Sequence, residues 1–392
     1  MKILVVCQHY YPEPFRISDI CEWLVSKGHE VDVITGVPNY PMGVIYDGYK
    51  DKSKRDEVIN GVNVHRCFTI ARRSGALFRL LNYYSFAISS GHYAKRLKKE
   101  YDVIFVNQLS PVMMANAAVK YKKKHGTRLV MYTLDLWPES LTAGGIKRGS
   151  LIYKYFHRVS RKIYKAADKI LVTSRSFRDY FKKEFDIDIE AHVPQCAEAL
   201  FTPEACKKTA NETVDLMFAG NVGAAQSIDT IIKAAALTKD VENLRWHIVG
   251  EGSELENMKK LAEELSVDSV IFHGRRPLEE MAKYYSMADA MLVTMKDSPI
   301  ISYTLPGKVQ TYMAAGKPII GSINGETMAL INEAECGICV PAEDASALAA
   351  AAREFSTTDK REEYAKNSHA YSAANFDKEA VCERLLSYLT ND

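Results

Sequence analysis

The sequence predicts two doubly wound α/β domains, on three observations. At roughly 100–200 residues per domain, 392 residues exceed what one hydrophobic core usually serves. Short apolar runs alternate with longer amphipathic ones, the pattern of a parallel sheet covered by helices on both faces. The alternation halts at the polar, aperiodic stretch 201–211, which reads as a linker, and resumes near residue 212.

In the first half, strands are expected at 3–6, 31–35, 62–67, 103–106, 129–132 and 170–173. Most are short runs rich in Val, Ile and Leu, while 62–67 alternates, with Val62 and Val64 between polar residues. Helices are expected between them at 17–27, 77–99, 111–124, 151–166 and 176–184. The second half repeats the rhythm, with strands at 216–219, 246–249, 270–273, 291–294, 318–321 and 338–340. Its helices are expected at 227–237, 254–264, 278–286 and 307–315. The opening Met1-Lys2-Ile3-Leu4-Val5-Val6-Cys7 is too short for a signal-peptide core and reads as a buried strand. The chain is therefore expected to begin at Met1 and to stay in the cytoplasm.

Composition narrows the class. With 47% hydrophobic and 26% charged residues, the chain is neither collagen-like nor disordered. No apolar run reaches the roughly 18 residues of a membrane span. The eight cysteines are scattered, and Cys336-Gly337-Ile338-Cys339 lacks the second pair a zinc site needs, so it reads as a turn entering a strand. Net charge is +2 overall but +13 over residues 1–190 and −11 over the remainder. The basic half suits an anionic partner such as a phosphate ligand or an acidic membrane surface. Within it, residues 71–86 interleave Arg72, Arg73 and Arg79 with Leu, Phe and Tyr, as an interfacial helix would; an ordinary core-facing helix is the plainer reading. No basic–aromatic motif of a nucleic-acid module is present.

Candidate chemistry belongs at strand-to-helix turns, because doubly wound sheets bind ligands at the carboxyl ends of their strands. Two such domains usually hold a ligand in the cleft between them. Gly220-Asn221-Val222-Gly223, continuing to Gln226, follows the first strand of the second half; its glycines let the backbone approach an anion. It is not GxGxxG, which argues against a dehydrogenase; a tight strand–helix turn is the plainer reading. Pro306 and Gly307 open a helix with Lys308 in its first turn, where the helix dipole disfavours a cation, so a phosphate opposite Lys308 is expected. In Asp135-Leu136-Trp137-Pro138-Glu139, two carboxylates four apart would share one face of a helical turn and could bind sugar hydroxyls or move protons, while Trp137 could stack on a sugar. Helix capping by Asp135 is the alternative. Glu13 and Arg16 lie in a proline-rigid turn after the first strand; His9, beside them, reads as structural. Asp186-Ile187-Asp188 matches a metal-binding DxD pattern but sits in charged, solvated surface.

Taken in order, several segments resemble bacterial family 4 glycosyltransferases of the GT-B fold, close to fucosamine-transferase-like members. They are residues 27–36, Pro38-Asn39-Tyr40-Pro41, Asp135-Leu136-Trp137-Pro138-Glu139-Ser140, Gly220-Asn221-Val222-Gly223 and the 306–318 segment. The resemblance implies two Rossmann-like domains facing across a cleft. Residues 1–200 would bind the acceptor and 201–375 the nucleotide-sugar donor, with a C-terminal helix at about 376–392 packing back on the first. It implies retaining transfer from a UDP-sugar without metal or other cofactor, with N-acetyl-L-fucosamine as the sugar. The acceptor would be an undecaprenyl-diphosphate-linked saccharide of capsule or O-antigen synthesis, met at the anionic inner face of the plasma membrane. The family pattern has two Glu eight apart; counting back from Gly316, Tyr303 and Thr311 stand there instead. Thr311 or Gln310 could still bind a ribose, Glu326 could substitute for a missing carboxylate, and Arg16 could replace the family's glycine-rich acceptor loop. Lys308, the Gly223 turn and helix N-termini would stabilise the leaving diphosphate, aided by Arg275 or Arg276. That phosphate could itself accept the acceptor's proton, leaving Asp135 and Glu139 to position. A sugar-nucleotide 2-epimerase and a non-catalytic GT-B subunit are the alternatives.

Overall fold

The computed structural model describes residues 1–390 apart from 52, 74 and 210. Ser74, in the basic–aromatic segment, Ala210, in the expected linker, and Asn391 and Asp392, closing the expected last helix, lie outside the described residues. The chain forms two units. One comprises Met1–Thr173, Phe177–Val193 and the residues from Cys382; the other comprises Ser174–Ser176 and Pro194–Val381.

The first unit holds β1 (Lys2–Val6), α1 (Ile17–Ser26), β2 (Glu30–Gly36), β3 (Asp56–Ile59), β4 (Val62–Cys67), α2 (Ala76–Arg96), β5 (Val103–Gln108), α3 (Asn116–His125), β6 (Arg128–Thr133), α4 (Leu151–Tyr164), β7 (Lys169–Val172) and α5 (Phe177–Phe185). Its seven-stranded sheet runs β3-β4-β2-β1-β5-β6-β7. Only the β3–β4 pair is antiparallel. The apolar runs 3–6 and 103–106 sit at its centre, buried on both faces.

The second unit holds β8 (Val214–Ala219), α6 (Ile228–Leu237), β9 (Leu244–Val249), α7 (Leu255–Glu264), β10 (Val270–Gly274), α8 (Met281–Tyr285), β11 (Ala290–Thr294), α9 (Pro299–Ser302), α10 (Gly307–Ala314), β12 (Ile319–Ser322), α11 (Glu326–Glu333), β13 (Gly337–Val340), α12 (Ala345–Thr357) and α13 (Arg361–Asn375). Its six strands run β10-β9-β8-β11-β12-β13, and all their pairings are parallel. The last helix, α14 (Lys378–Thr390), reaches the first unit, where the Leu389 carbonyl accepts from Arg128 at 3.3 Å and Tyr388 underlies Lys169.

Strand order reverses at β1 in one sheet and at β8 in the other. The carboxyl ends of β1 and β5, and of β8 and β11, are therefore the switch points where such sheets bind ligands. The helix expected at 111–124 instead starts as a 3₁₀ turn, Val112–Ala115, before α3. No helix among the described residues is long and apolar enough to cross a membrane.

Candidate functional site

In the second unit, the turn after β8 meets the first turn of α10. Gly220 has φ +146°, and a Cβ there would lie 2.7 Å from Lys308 Nζ. That amine is shut from solvent and hydrogen bonds to nothing among the described residues. It lies 3.8 Å from the centre of the Phe218 ring. Burial alone pushes it down to about 7. A buried amine without a counter-charge beside a bare backbone turn is what an anion site requires. Under this turn, Gly250 and Gly252 follow β9; a Cβ on either would strike the Gly220 or Val222 carbonyl oxygen at 1.8 or 2.2 Å. Above Gly223, Asn221 Nδ2 donates to Gln226 Oε1 at 3.2 Å, so these two side chains hold each other.

One helical turn past Gly307, Thr311 Oγ1 donates to Glu198 Oε2 at 2.6 Å. No sequence pattern pointed to Glu198, which lies near the start of the second unit. Gln310 is buried, with its amide against the Gly307 and Pro306 carbonyls, so it does not border the site as expected. Glu326, the expected substitute carboxylate, is saturated elsewhere. Its Oε1 accepts from the Arg175 amide at 2.9 Å, and its Oε2 accepts from the Ser176 amide at 3.0 Å and from the Ser176 hydroxyl. Arg275 is exposed after β10, and Arg276 lies over the Tyr284 ring.

The opposite, amino-terminal edge of this sheet borders a cavity of about 770 Å³ lined in part by Lys208, Asp289 and Lys317. Lys317 Nζ donates to the Ala288 carbonyl at 2.8 Å, and burial pushes it down to about 8. Lys317 thus braces a loop far from the Gly220 turn's edge of the sheet.

In the first unit, the turn after β1 places His9 and Glu13 together. His9 Nδ1 lies 2.9 Å from Glu13 Oε2, and both side chains are buried. Glu13 Oε1 accepts from the Asn39 and Tyr40 amides at 2.8 and 2.6 Å. With Nδ1 turned to the Glu13 carboxyl, Nε2 is the ring nitrogen that this contact leaves over. The ring stacks on Phe15 at 4.8 Å. Glu13 therefore orients His9 rather than standing open as a base, and His9, read as structural in the sequence, is the group with chemistry to offer. Arg16 sits at the N-cap of α1.

Asp135 lies after β6, where Oδ2 accepts from the Ser110 amide at 3.0 Å. Burial raises its carboxyl above the usual range, against hydrogen bonds from Ser110 and the charge of Arg72. Glu139 does not share a helical face with it, because residues 135–138 bend instead of coiling. Glu139 is buried under Arg148, whose Nε lies 3.0 Å from Oε1, and under the Tyr153 hydroxyl, so it anchors α4. Trp137 is core, edge-on to Tyr83 at 6.1 Å and Phe156 at 5.6 Å, and has no face for a sugar. Asp135 caps no helix; Pro138 occupies the N-cap of the 3₁₀ turn that follows. Asp186 and Asp188 both pair with Lys182 on the surface. Cys336 and Cys339 are unpaired, and burial pushes both thiols up to about 12.

Residues 15–193 match the family described as Glycosyl transferase 4-like domain, and residues 205–370 match Glycosyl transferases group 1. A protein of Escherichia coli K12 described as a colanic acid biosynthesis glycosyl transferase, WcaI, is 26% identical over 99% of both chains. The glycosyltransferase WbjE of Pseudomonas aeruginosa is 29% identical over 57% of this chain and 58% of its own. Among solved structures, sucrose-phosphate synthase of Thermosynechococcus elongatus superposes with a TM-score of 0.75 at 18% identity, covering 99% of this chain and 98% of its own. Anabaena HepE, determined with UDP and glucose, gives 0.70 at 15% identity over all of both chains. The two halves match glycosyltransferase families in order, and a relative aligns from end to end. The chain is a member of the family 4 glycosyltransferases and has their GT-B fold.

Proposed function

We propose that this glycosyltransferase takes a sugar from a UDP-sugar and passes it, with retention, to a lipid-linked saccharide in polysaccharide synthesis. The observation that carries the donor reading is Lys308 Nζ, buried and without a hydrogen bond against the backbone of Gly220. A diphosphate there would receive the charge-assisted hydrogen bonds that the amine lacks, and these strengthen as the glycosidic bond breaks and charge gathers on the leaving phosphate. Thr311, one turn along α10, and Glu198, which accepts its hydroxyl, would take the ribose hydroxyls. Solved relatives point the same way, since HepE is described in complex with UDP and with UDP-glucose. The polysaccharide reading rests on the descriptions of WcaI and of WaaG, a glycosyltransferase of lipopolysaccharide biosynthesis.

On the acceptor side, His9 Nε2 would accept a hydrogen bond from an acceptor hydroxyl next to the attacking one, with Asp135 beside the same edge of its sheet. The leaving phosphate then takes the proton, so no carboxylate must do so. Lys308 supplies the charge that a divalent metal provides in other transferases, so the donor complex is expected to form without metal.

A thermal-shift screen of UDP-, GDP- and ADP-sugars, including UDP-N-acetyl-L-fucosamine, tests the reading. UDP-sugars should stabilise the protein in EDTA, and Lys308→Ala should abolish the shift while Lys317→Ala, though less stable, retains it. Stabilisation that needs magnesium or manganese, or that survives loss of Lys308, would refute it. Interconversion of the free donor without an acceptor would favour an epimerase.

A further inference from the structure

The cavity at the amino-terminal edge of the second unit's sheet has a charge pattern that packing does not call for. Lys317 is 6% exposed, and its amine donates to the Ala288 carbonyl at 2.8 Å, although an ammonium has three protons to give. No carboxylate pairs with it among the described residues. Two further lining cations are in a similar state. Lys207 is exposed and forms no ion pair among the described residues. Arg361 uses its guanidinium on the Phe355 and Ser356 carbonyls, in the last turn of α12, and likewise meets no carboxylate among the described residues. The acids of the cavity are largely neutralised. Lys208 holds Asp289, and Lys366 lies 4.0 Å from Glu362, which leaves Glu212, an exposed side chain. Three cations without a counter-charge therefore border about 770 Å³ of space, with one free carboxylate against them. A buried ammonium is costly without an anion beside it, and burial holds Lys317 down to about 8.

This lining suits a compact anion. A phosphate monoester presents three strong acceptor oxygens and close to two negative charges at neutral pH, matched to ammonium and guanidinium donors. The volume exceeds what a lone phosphate fills and lies in the range of small-molecule sites, so the ester's organic part has room. The position argues for an effector and against a reacting group. The cavity is at the edge opposite the Gly220 turn, whereas doubly wound sheets bind their substrates at the carboxyl ends of the strands. The helix α10 links the two places: it carries Lys308 in its first turn and leads through Ala315 and Gly316 into Lys317. The Lys317 amide donates to the Tyr312 carbonyl at 3.1 Å, and the Tyr312 hydroxyl donates to the carbonyl of Ala219, next to Gly220, at 2.9 Å. An anion that draws on Lys317 would therefore act on a continuous run of hydrogen bonds that ends at the Gly220 turn.

We propose that the cavity bordered by Lys207, Lys317 and Arg361 is an effector site for a small phosphate monoester. Its influence on the donor rests on the UDP reading above; its occupancy does not. The test is calorimetric titration of the full chain, without UDP, with inorganic phosphate and with glycerol 3-phosphate, against sodium chloride at equal ionic strength. Wild type is expected to bind both. The dissociation constants should rise about tenfold or more in Lys317→Met and in Lys207→Ser/Arg361→Gln, since each removes charged donors. Lys317→Met keeps the buried stem, and thermal melts of both variants without ligand check that they fold. Lys308→Ala, at the other end of α10, should bind phosphate as wild type does. With phosphate saturating, the UDP affinity of wild type should change about fivefold or more, and that of Lys207→Ser/Arg361→Gln should not. Absence of binding beyond the chloride control overturns the site, as do unchanged constants in either variant. Loss of phosphate binding in Lys308→Ala overturns it too, because the anion would then sit at the Gly220 turn. A UDP affinity indifferent to phosphate, or altered equally in wild type and variant, overturns the effector role. A chain that binds phosphate in this way but no UDP would refute the donor reading and leave the site standing.

Discussion

Burial of Lys308 without a hydrogen bond makes the protein less stable, a cost that the proposed diphosphate would offset. The amine's folded pKa is about 7, whereas a free lysine titrates near 10.4. A base with a depressed folded pKa costs stability below that value, and the cost fades as pH rises toward 10. Lys308→Met, which fills the same space without charge, is therefore expected to raise stability at pH 7 by on the order of 1–3 kcal/mol. UDP affinity should fall roughly tenfold or more. Urea denaturation and calorimetry on one preparation check both signs; a variant that is less stable would mean the amine has a partner in the free protein. The sequence exposed this residue because a cation in a helix's first turn is an anomaly. It could not expose Glu198 or the Glu13–His9 pair, whose meaning depends on which distant backbone amides and hydroxyls they touch.

At the scale of elements, legibility followed apolar content. Strands such as β1 and β5 were readable as runs of branched residues. By contrast, β3 reads Asp-Glu-Val-Ile, half charged, as an edge strand can be, and nothing local marks it as sheet. The helices α12 and α13 were not legible, because an alanine-rich run and a polar one succeed each other without the strand that would mark a repeat. Sequence pattern also did not show how β8 and β9 are tied together. Asp215 on β8 accepts from His247 on β9 at 2.9 Å and from Lys208 at 2.8 Å, and Lys208 also holds Asp289 just before β11. Burial raises the Asp215 carboxyl, but hydrogen bonds from His247, Lys208, Thr213 and Asn211 outweigh it and hold the group well below the usual range. A depressed carboxylate stabilises above its unfolded pKa and loses that contribution as pH falls. Asp215→Asn should therefore cost about 3 kcal/mol at pH 7, and the gap between its urea midpoint and that of wild type should begin to narrow only below about pH 4 and narrow further toward pH 2. A constant gap between the two proteins down to pH 2 would argue against the ionised cluster.

For the whole molecule, the division near residue 200 and the doubly wound pattern of both halves were readable, because each half repeats its own strand–helix rhythm. The excursion of Ser174–Ser176 into the second unit was not, whereas the return of the residues from Cys382 to the first was expected from the family resemblance alone. Placement of Lys308 and Gly220 wholly within the second unit has a measurable outcome. UDP at a hundredfold excess over its dissociation constant should stabilise that unit by about 2.7 kcal/mol. In scanning calorimetry the transition that moves should be the one that Asp215→Asn lowers. The shift should be larger at pH 6 than at pH 8, since the charged form of Lys308 is the one that meets a diphosphate. An equal shift at the two pH values would detach the amine from the ligand.

The floor under that amine is main chain resting on main chain: Gly220 and Val222 carry Gly250 and Gly252 with no room for a single carbon. A cradle made of peptide groups has the same shape whatever side chains surround it. Inherited change could therefore alter the borders of the proposed donor site, at positions such as Arg275 or Glu198, while the backbone turn itself stays fixed. Diversification of such an enzyme toward new sugars would proceed by exchanging rim side chains, and a designer wishing to redirect this one has the same freedom and the same boundary.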